Sequence, residues 1–305
     1  MTLRDGGYLN DWRFSTIHIQ AVATAMDVAR VDVVEVGYLS NRSEAGLAAQ
    51  SPPPVLVTLK HSLKDVLVAA MMRPNEASEE LLRSRVGLVD LIRIPCSPDQ
   101  VSAGRTIAER CAFFGFKVAL NLTSVSAYSL RQLLQAVQDA SGGDPPLTAL
   151  YFADSRGALT PRSAYRLVQM GMQVAGVPFG FHGHDNRGLA VPNSLAAIKA
   201  GATFVDGSLE GIGLGGGNAD SQTLGLALGK DFRLPGLADL GINIERNDHR
   251  RSNLYRLSGE RNIEQEWVEA LLGTFGPEVD QLLDTLPRRR HCSLESVLTE
   301  LQRSE

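Results

Sequence analysis

His182 and His184 stand two residues apart in FHGHDN, directly behind an apolar run that reads as a strand. Side chains on a strand alternate between faces, so residues i and i+2 point the same way. Two imidazoles aimed in one direction make a poor structural pair unless something lies between them, and a divalent metal is the commonest such thing. Taken alone the pair leaves two readings open, a metal site or a polar strand end with two solvated histidines. Residues able to join them close similar apolar runs elsewhere. Arg4 and Asp5 end the first run, Glu35 the second, Arg93 the fourth, Asn121 the fifth, Asp154 and Ser155 the sixth, and Asp206 the eighth. Carboxylates, imidazoles and arginines gathered at one rim are the donor set of a metal-plus-cation catalytic site.

Those residues meet only if their runs lie side by side. Short apolar, β-branched runs alternate along the chain with segments of helical periodicity, the pattern of βα units around a parallel sheet. Met1 to Asp5 forms a possible stub, and VDVVEVG, VLVAAMM, VDLIRIP, KVALNL, TALYFAD, PFGFHGH and TFVDGSL complete eight runs. Helices are predicted over STIHIQAVATAMDVARV, DQVSAGRTIAERCAFFG, AYSLRQLLQAVQDASGG, PRSAYRLVQMGMQVAG and LAVPNSLAAIKAG, several closed by a glycine. Eight such units predict an α/β fold, a closed (β/α)8 TIM barrel over residues 1–235, with its chemistry at the C-terminal strand ends. A doubly wound open sheet would carry a glycine-rich nucleotide loop after its first strand, and DGGYLNDW is not that loop. From residue 236 to 305 a polar, arginine-bearing stretch precedes EQEWVEALLGTF, EVDQLLDTL and SLESVLTELQ, each with apolar residues at helical spacing. A C-terminal helical extension is predicted there, packed on the barrel or on a second subunit.

Totals narrow the partners. A net charge of -4 with no lysine-rich block argues against nucleic acid or an anionic membrane surface. No run approaches the ~20 apolar residues that span a bilayer. Cys96, Cys111 and Cys292 are too few and too scattered for a disulfide framework or a zinc knuckle. A small-molecule substrate, a cytoplasmic location and a homodimer are the resulting expectations. Several site candidates also have plain structural readings: Asp5 as a turn aspartate before two glycines, Arg4 as an ion-pair partner, Asn218 as a left-handed turn residue, and Glu35, Asp154 and Asp206 as helix caps.

TLRDGG at residues 2–7, EVG at 35–37, the block HGHDNRGLAVPNSLAAIKAGATFVDGSLEGIG from 182 and GLGGGNA from 213 occur in an order that carries a resemblance. Together they resemble the DRE-TIM metallolyase superfamily, also called HMGL-like, nearest to its 4-hydroxy-2-oxovalerate aldolase-like members. The likeness covers most of the barrel. It implies a divalent ion, Mn2+ or Mg2+, held by Asp5, His182, His184 and Asn218, with Arg4 beside the enolisable carbonyl of the substrate. It also implies a lyase that cleaves or forms a 4-hydroxy-2-oxo acid through a stabilised pyruvate-type enolate, its small molecules being a 2-oxo acid and an aldehyde. Glu35, Arg93, Asn121, Asp154, Ser155 and Asp206 are expected to bind substrate or to support the ligands. A mixed oxygen and nitrogen donor set suits a six-coordinate ion with open positions, and Arg4 would add a fixed positive charge where an enolate develops. The glycines of GIGLGGGNADSQT could also cradle a phosphate, but no Walker lysine follows them; in the superfamily that loop turns the backbone close to the metal.

Departures from the resemblance set further expectations. Tyr8 stands where the aldolases carry a histidine that takes the substrate hydroxyl's proton. A tyrosine hydroxyl ordinarily titrates near ~10, which makes it a proton donor or orienter rather than a base. Tyr8 is therefore a catalytic candidate in that sense, and the base is open among a hydroxide held by the ion, Tyr38, His61 and His249. The loop lacks the cysteine of hydroxymethylglutaryl-CoA lyases, which speaks against a coenzyme A thioester lyase. Two other readings stand beside the aldolase: a Claisen-type transferase joining an acyl-CoA to a 2-oxo acid, and a metal-binding barrel without turnover acting as a partner subunit. The first strand is a stub from Met1 where superfamily members have several residues ahead of TLRDGG, so it closes the barrel weakly.

Overall fold

The computed structural model describes every residue except 42–45, 143, 145–146, 231 and 304–305. All seven internal apolar runs form strands: β1 (Val33–Tyr38), β2 (Leu67–Met71), β3 (Leu91–Cys96), β4 (Lys117–Leu122), β5 (Ala149–Asp154), β6 (Phe179–Gly183) and β7 (Phe204–Val205). They lie in sequence order in one sheet, and every neighbouring pair is parallel. β2 to β6 are buried along most of their length, because crossover helices cover one face while the curled sheet encloses the other. That double burial is why their sequences read as near-continuous apolar runs rather than alternating ones.

The helices that complete the βα units are α1 (Thr16–Val28), α2 (Pro53–Ser62), α3 (Glu79–Arg83), α4 (Val101–Phe113), α5 (Leu130–Ser141), α6 (Pro161–Ala175), α7 (Ala190–Lys199) and α8 (Ser221–Ala227). The five helices expected from periodicity are α1 and α4 to α7; the last glycine expected after α5, residue 143, lies outside the described residues. α2 and α3 were not foreseen. Pro53 and Pro54 occupy the first turn of α2, where a missing N–H costs nothing. α3 is one short turn and a half, started by the side chain of Ser78 accepting from the Leu81 amide.

The eighth strand expected over Met1 to Asp5 is absent. Those residues form turns, with the Arg4 and Asp5 amides both donating to the Met1 carbonyl, and a 3-10 segment follows at Gly6–Leu9. A strand would have sent Arg4 and Asp5 to opposite faces, whereas the turn lets both consecutive side chains enter the site. The sheet is thus a curled seven-strand half-barrel. Its edges β1 and β7 are not paired among the described residues, and a cavity of about 410 Å³ lies between them. The chain start is nonetheless anchored there, its α-amine donating to the Gly207 carbonyl at 3.1 Å and Thr2 Oγ1 accepting from the Leu209 amide at 2.9 Å.

Beyond Leu237 and Ile242, which pack into the barrel core, α9 (His249–Arg261), α10 (Trp267–Phe275), α11 (Val279–Thr285) and α12 (Leu294–Gln302) build a second apolar cluster. Leu254, Ile263, Val268, Leu271, Val279, Leu283, Val297 and Leu301 are its fully buried members. The arginine-rich stretch is the first of these helices, capped by Asp248 and laced by surface pairs such as Arg251 with Glu269. No helix of the described residues is long and apolar enough to cross a membrane.

Candidate active site

β6 ends in His182 and Gly183, and His184 follows at once, so the two imidazoles share one side of the sheet as alternation requires. Their Nε2 atoms lie 3.2 Å apart, with the rings edge to face. Asp5 reaches the same point from the N-terminal turn. One ligand atom each from Asp5, His182 and His184 falls within 4.8 Å of the others, and all three residues are buried. Asn218 completes the group through a bridge that joins its backbone to that of His184. Its Nδ2 donates to Asp5 Oδ2 at 2.7 Å and to the Ile212 carbonyl at 2.9 Å, while its Oδ1 has no partner among the described residues. Gly213 is obligatory beside it, since a Cβ there would stand 2.0 Å from Asn218 Nδ2 and 2.5 Å from Asp5 Oδ2.

Burial and neighbouring charges set the protonation states of this group. Burial would raise the Asp5 carboxyl, but Arg4 foremost, with His184 and the Asn218 amide, holds it below its ordinary value. Burial lowers His182 well below the usual imidazole range, and the neighbouring His184 and arginines push the same way. Burial also lowers His184, against the pull of Asp5. An anionic carboxylate and two neutral imidazoles are the protonation states that divalent ions require of their ligands. The oxygen and nitrogen donors, together with the orphaned Asn218 Oδ1, fit such an ion chemically.

One wall of the site is a chain of buried charges. Arg4 donates through Nε to Glu35 Oε2 at 3.0 Å and through Nη1 to Asp5 Oδ1 at 2.6 Å. Arg93 continues the chain to Glu35 Oε1 at 3.3 Å, Asp206 Oδ2 at 2.6 Å and Asn121 Oδ1 at 3.4 Å, its guanidinium lying over the Tyr151 ring. Asp206 Oδ2 also stands 3.5 Å from His182 Nδ1, an atom without a hydrogen-bond partner among the described residues. Burial would raise Glu35, yet Arg93 and Arg4 together keep its carboxyl below the ordinary value. Arg4, Glu35, Arg93, Asn121 and Asp206 are therefore brought together with the four candidate ligands.

Other expected site residues lie elsewhere. Asp154 is fully buried but turns away, accepting from the Ala158 amide at 3.0 Å and the Leu159 amide at 2.9 Å to shape the loop before α6. With no cation bonded to it, burial pushes its carboxyl up to about 6. Ser155 accepts from the Ser124 amide at 2.9 Å and ties two rim loops together. His61 and His249 sit on exposed helix surfaces, which removes both from the choice of base. Tyr8 does reach the rim, its hydroxyl 3.2 Å from that of Tyr38, and burial raises the Tyr38 hydroxyl above a tyrosine's usual value. Asp185 and Asn186, which follow the histidines, are scaffolding. Asp185 accepts from the Ala190 amide at 2.7 Å at the start of α7, and Asn186 bridges the Gly216 amide to the Arg156 carbonyl.

Sequence reasoning missed Gln265. It lies in the turn between α9 and α10, 1% exposed, with Nε2 3.3 Å from both ring nitrogens of His184 and Oε1 unpartnered among the described residues. Its turn is clamped to the barrel. Arg156 Nη2 pairs with Glu264 Oε1 at 2.8 Å, Ser124 Oγ donates to Glu264 Oε2 at 3.1 Å, and Asn262 exchanges bonds with Ser126. A glutamine in a polar turn carries no spacing signal, so nothing short of the fold points to it.

The HMGL-like family model matches residues 1–243. The 4-hydroxy-2-oxovalerate aldolase of Pelotomaculum thermopropionicum is 31% identical over 75% of this chain and 68% of its own length. The oxaloacetate decarboxylase of Mycobacterium tuberculosis is 27% identical over 74% of this chain and 68% of its own. Among solved structures, the N-terminal domain of a proposed aldolase from Bacteroides vulgatus superposes with a TM-score of 0.74 at 28% identity, covering 89% of this chain and 94% of that one. The carboxyl transferase domain of Rhizobium etli pyruvate carboxylase, solved with pyruvate, shares the fold at a TM-score of 0.71 and 16% identity, over all of this chain and 59% of that one.

Proposed function

The chain belongs to the HMGL-like family of enzymes, and from that premise we propose that it is a divalent-metal-dependent carbon–carbon lyase acting on a 4-hydroxy-2-oxo acid. The carrying observation is the buried Asp5, His182 and His184 group beside Arg4. These three residues and Asn218 would hold Mn2+ or Mg2+. The ion, when bound, would polarise the C2 carbonyl of a 2-oxo acid and so supply an electron sink for cleavage of the C3–C4 bond. Arg4, fixed by Glu35 and Asp5, presents a permanent positive charge to the oxygen on which the enolate forms; losing one such preorganised donor costs roughly a hundred- to a thousandfold in rate. Asp206 stands beside His182, and Arg93 holds Asp206.

Retro-aldol cleavage breaks the C3–C4 bond, leaves the electron pair on the pyruvate fragment and needs the C4 hydroxyl to give up its proton. At the rim the Tyr8 and Tyr38 pair presents two phenol hydroxyls, while Glu35 and Asp206 are committed to arginines. That arrangement favours a second reading for the same site: decarboxylation of a 2-oxo acid that carries a carboxylate on C3. There the C3–C4 bond breaks with loss of carbon dioxide, and no hydroxyl proton has to be removed. The name of the Mycobacterium tuberculosis relative supports it.

Calorimetric Mn2+ titration tests the site, followed by pyruvate release from 4-hydroxy-2-oxopentanoate and from oxaloacetate. Asp5→Ala and His182→Ala are expected to lose the ion while remaining folded. Undiminished Mn2+ affinity in both variants refutes the proposal.

A further inference from the structure

Gln265 reaches the candidate site from outside the matched span of residues 1–243. It is rigidly delivered: Asn262 takes a left-handed backbone at φ +57°, Ile263 is fully buried, and Glu264 is held by Arg156 and Ser124. The glycine loop makes room for it, because a Cβ on Gly215 would stand 2.1 Å from Gln265 Oε1. A turn fixed this firmly, ending in a buried amide whose oxygen is unpartnered, is built to present that amide to something.

His184 Nδ1 lies 3.3 Å from the Leu214 carbonyl, and in the tautomer that donates to it Nε2 keeps the lone pair. Both the Gln265 amide at 3.3 Å and His182 Nε2 at 3.2 Å face that lone pair. An ion held by His184 would claim that lone pair and leave the amide hydrogens in need of another acceptor at the same place. An anionic oxygen seated beside His184 supplies one. We propose that Gln265 is a substrate-positioning residue, its side-chain amide donating to the carboxylate of a 2-oxo acid bound next to His184. The inference rests on the lyase reading above and adds the extension to the substrate site. A neutral amide suits this position because it binds the carboxylate without placing another cation beside the ion.

Calorimetry on the full chain separates the two claims, using Mn2+ first and then oxalate, a dianion that no cleavage step consumes. Gln265→Ala and the similarly sized Gln265→Leu are expected to keep Mn2+ affinity within about twofold and to lose roughly tenfold to a hundredfold in oxalate affinity, the range for a hydrogen bond to a charged group. Gln265→Glu, which sets a carboxylate against a carboxylate, is expected to lose more and provides a third variant should either of the others fold poorly. Unchanged oxalate affinity in Gln265→Ala and Gln265→Leu overturns the inference and leaves the lyase reading intact. A parallel fall in Mn2+ affinity also overturns it, since Gln265 would then act only by holding the His184 ring. Absence of Mn2+ binding in the unaltered chain overturns the lyase reading itself, and with it this inference.

Discussion

The two walls of the candidate site are built from opposite materials. On one side Asp5, Arg4, Glu35, Arg93 and Asp206 form an unbroken series of buried ion pairs that brings Asp206 to 3.5 Å from the neutral His182. On the other, His184 is surrounded by amides: Asn218, the Leu214 carbonyl, and Gln265 beside a glycine loop held by Asn186. Charges in a buried series fix one another's positions over long distances, and each is costly to leave alone. Amides fix position by contact and hydrogen-bond direction, and each costs less to remove. The first wall thus sets protonation states and field, while the second sets shape.

The sharpest way to break this contrast is Glu35→Ala. It strips both Arg4 and Arg93 of their shared carboxylate, and a buried charge left without its partner costs about 3–5 kcal/mol. Urea unfolding of Glu35→Ala and Gln265→Ala compares the walls directly; a Glu35→Ala loss no larger than that of Gln265→Ala would dissolve the distinction.

Acid–base linkage offers a second and smaller test. Asp5 and Glu35 have carboxyls held low by arginines, so their contribution is present above the ordinary carboxylate range and is lost as pH falls through their folded values. Asp154, bonded only to backbone amides, has the opposite sign. Its folded value near 6 exceeds the ~3.9 of an unfolded chain, so its contribution is complete below about pH 4 and disappears as pH rises through 6. The difference of roughly two units corresponds to about 3 kcal/mol. Thermal melting from pH 4 to 7 is expected to show Asp154→Asn gaining on the unaltered chain as pH rises. A difference between the two that stays level across that range would mean the carboxyl is not raised.

How legible each wall was in the sequence follows from the same materials. Asn121, His182, His184 and Asp206 lie at or just past strand ends, which a curled parallel sheet brings to one rim, whereas Glu35 and Arg93 sit mid-strand and Arg4 and Asp5 reach the same rim from a turn. Asp154 and Ser155 also close a run but point into the next loop, because the residue at a strand end can serve the turn as readily as the site. The stub at Met1 failed as a strand for a related reason: two consecutive side chains had to enter one site, and a pleated strand cannot do that. α2 opens on prolines, whose effect depends on whether they sit at a helix start or inside it. Gln265 was beyond reach because its position depends on how a separate helical cluster docks, which local periodicity does not encode.

The smallest effect concerns that docking, and it probes the amide wall at its tightest point. Gly215 has φ +66°, a conformation in which a side chain costs ~1–3 kcal/mol, and an added Cβ would meet Gln265 Oε1 before any other atom. Gly215→Ala is therefore expected to lose about 2 kcal/mol, one part from the backbone and one part from the Gln265 contact. Removing the glutamine relieves only the second part. In a double-mutant cycle, Gln265→Ala should make Gly215→Ala less damaging by about 1 kcal/mol, the size expected for residues in direct contact. Additive losses would mean that the loop and the extension do not touch at the site, and the second wall would then be a property of the barrel alone.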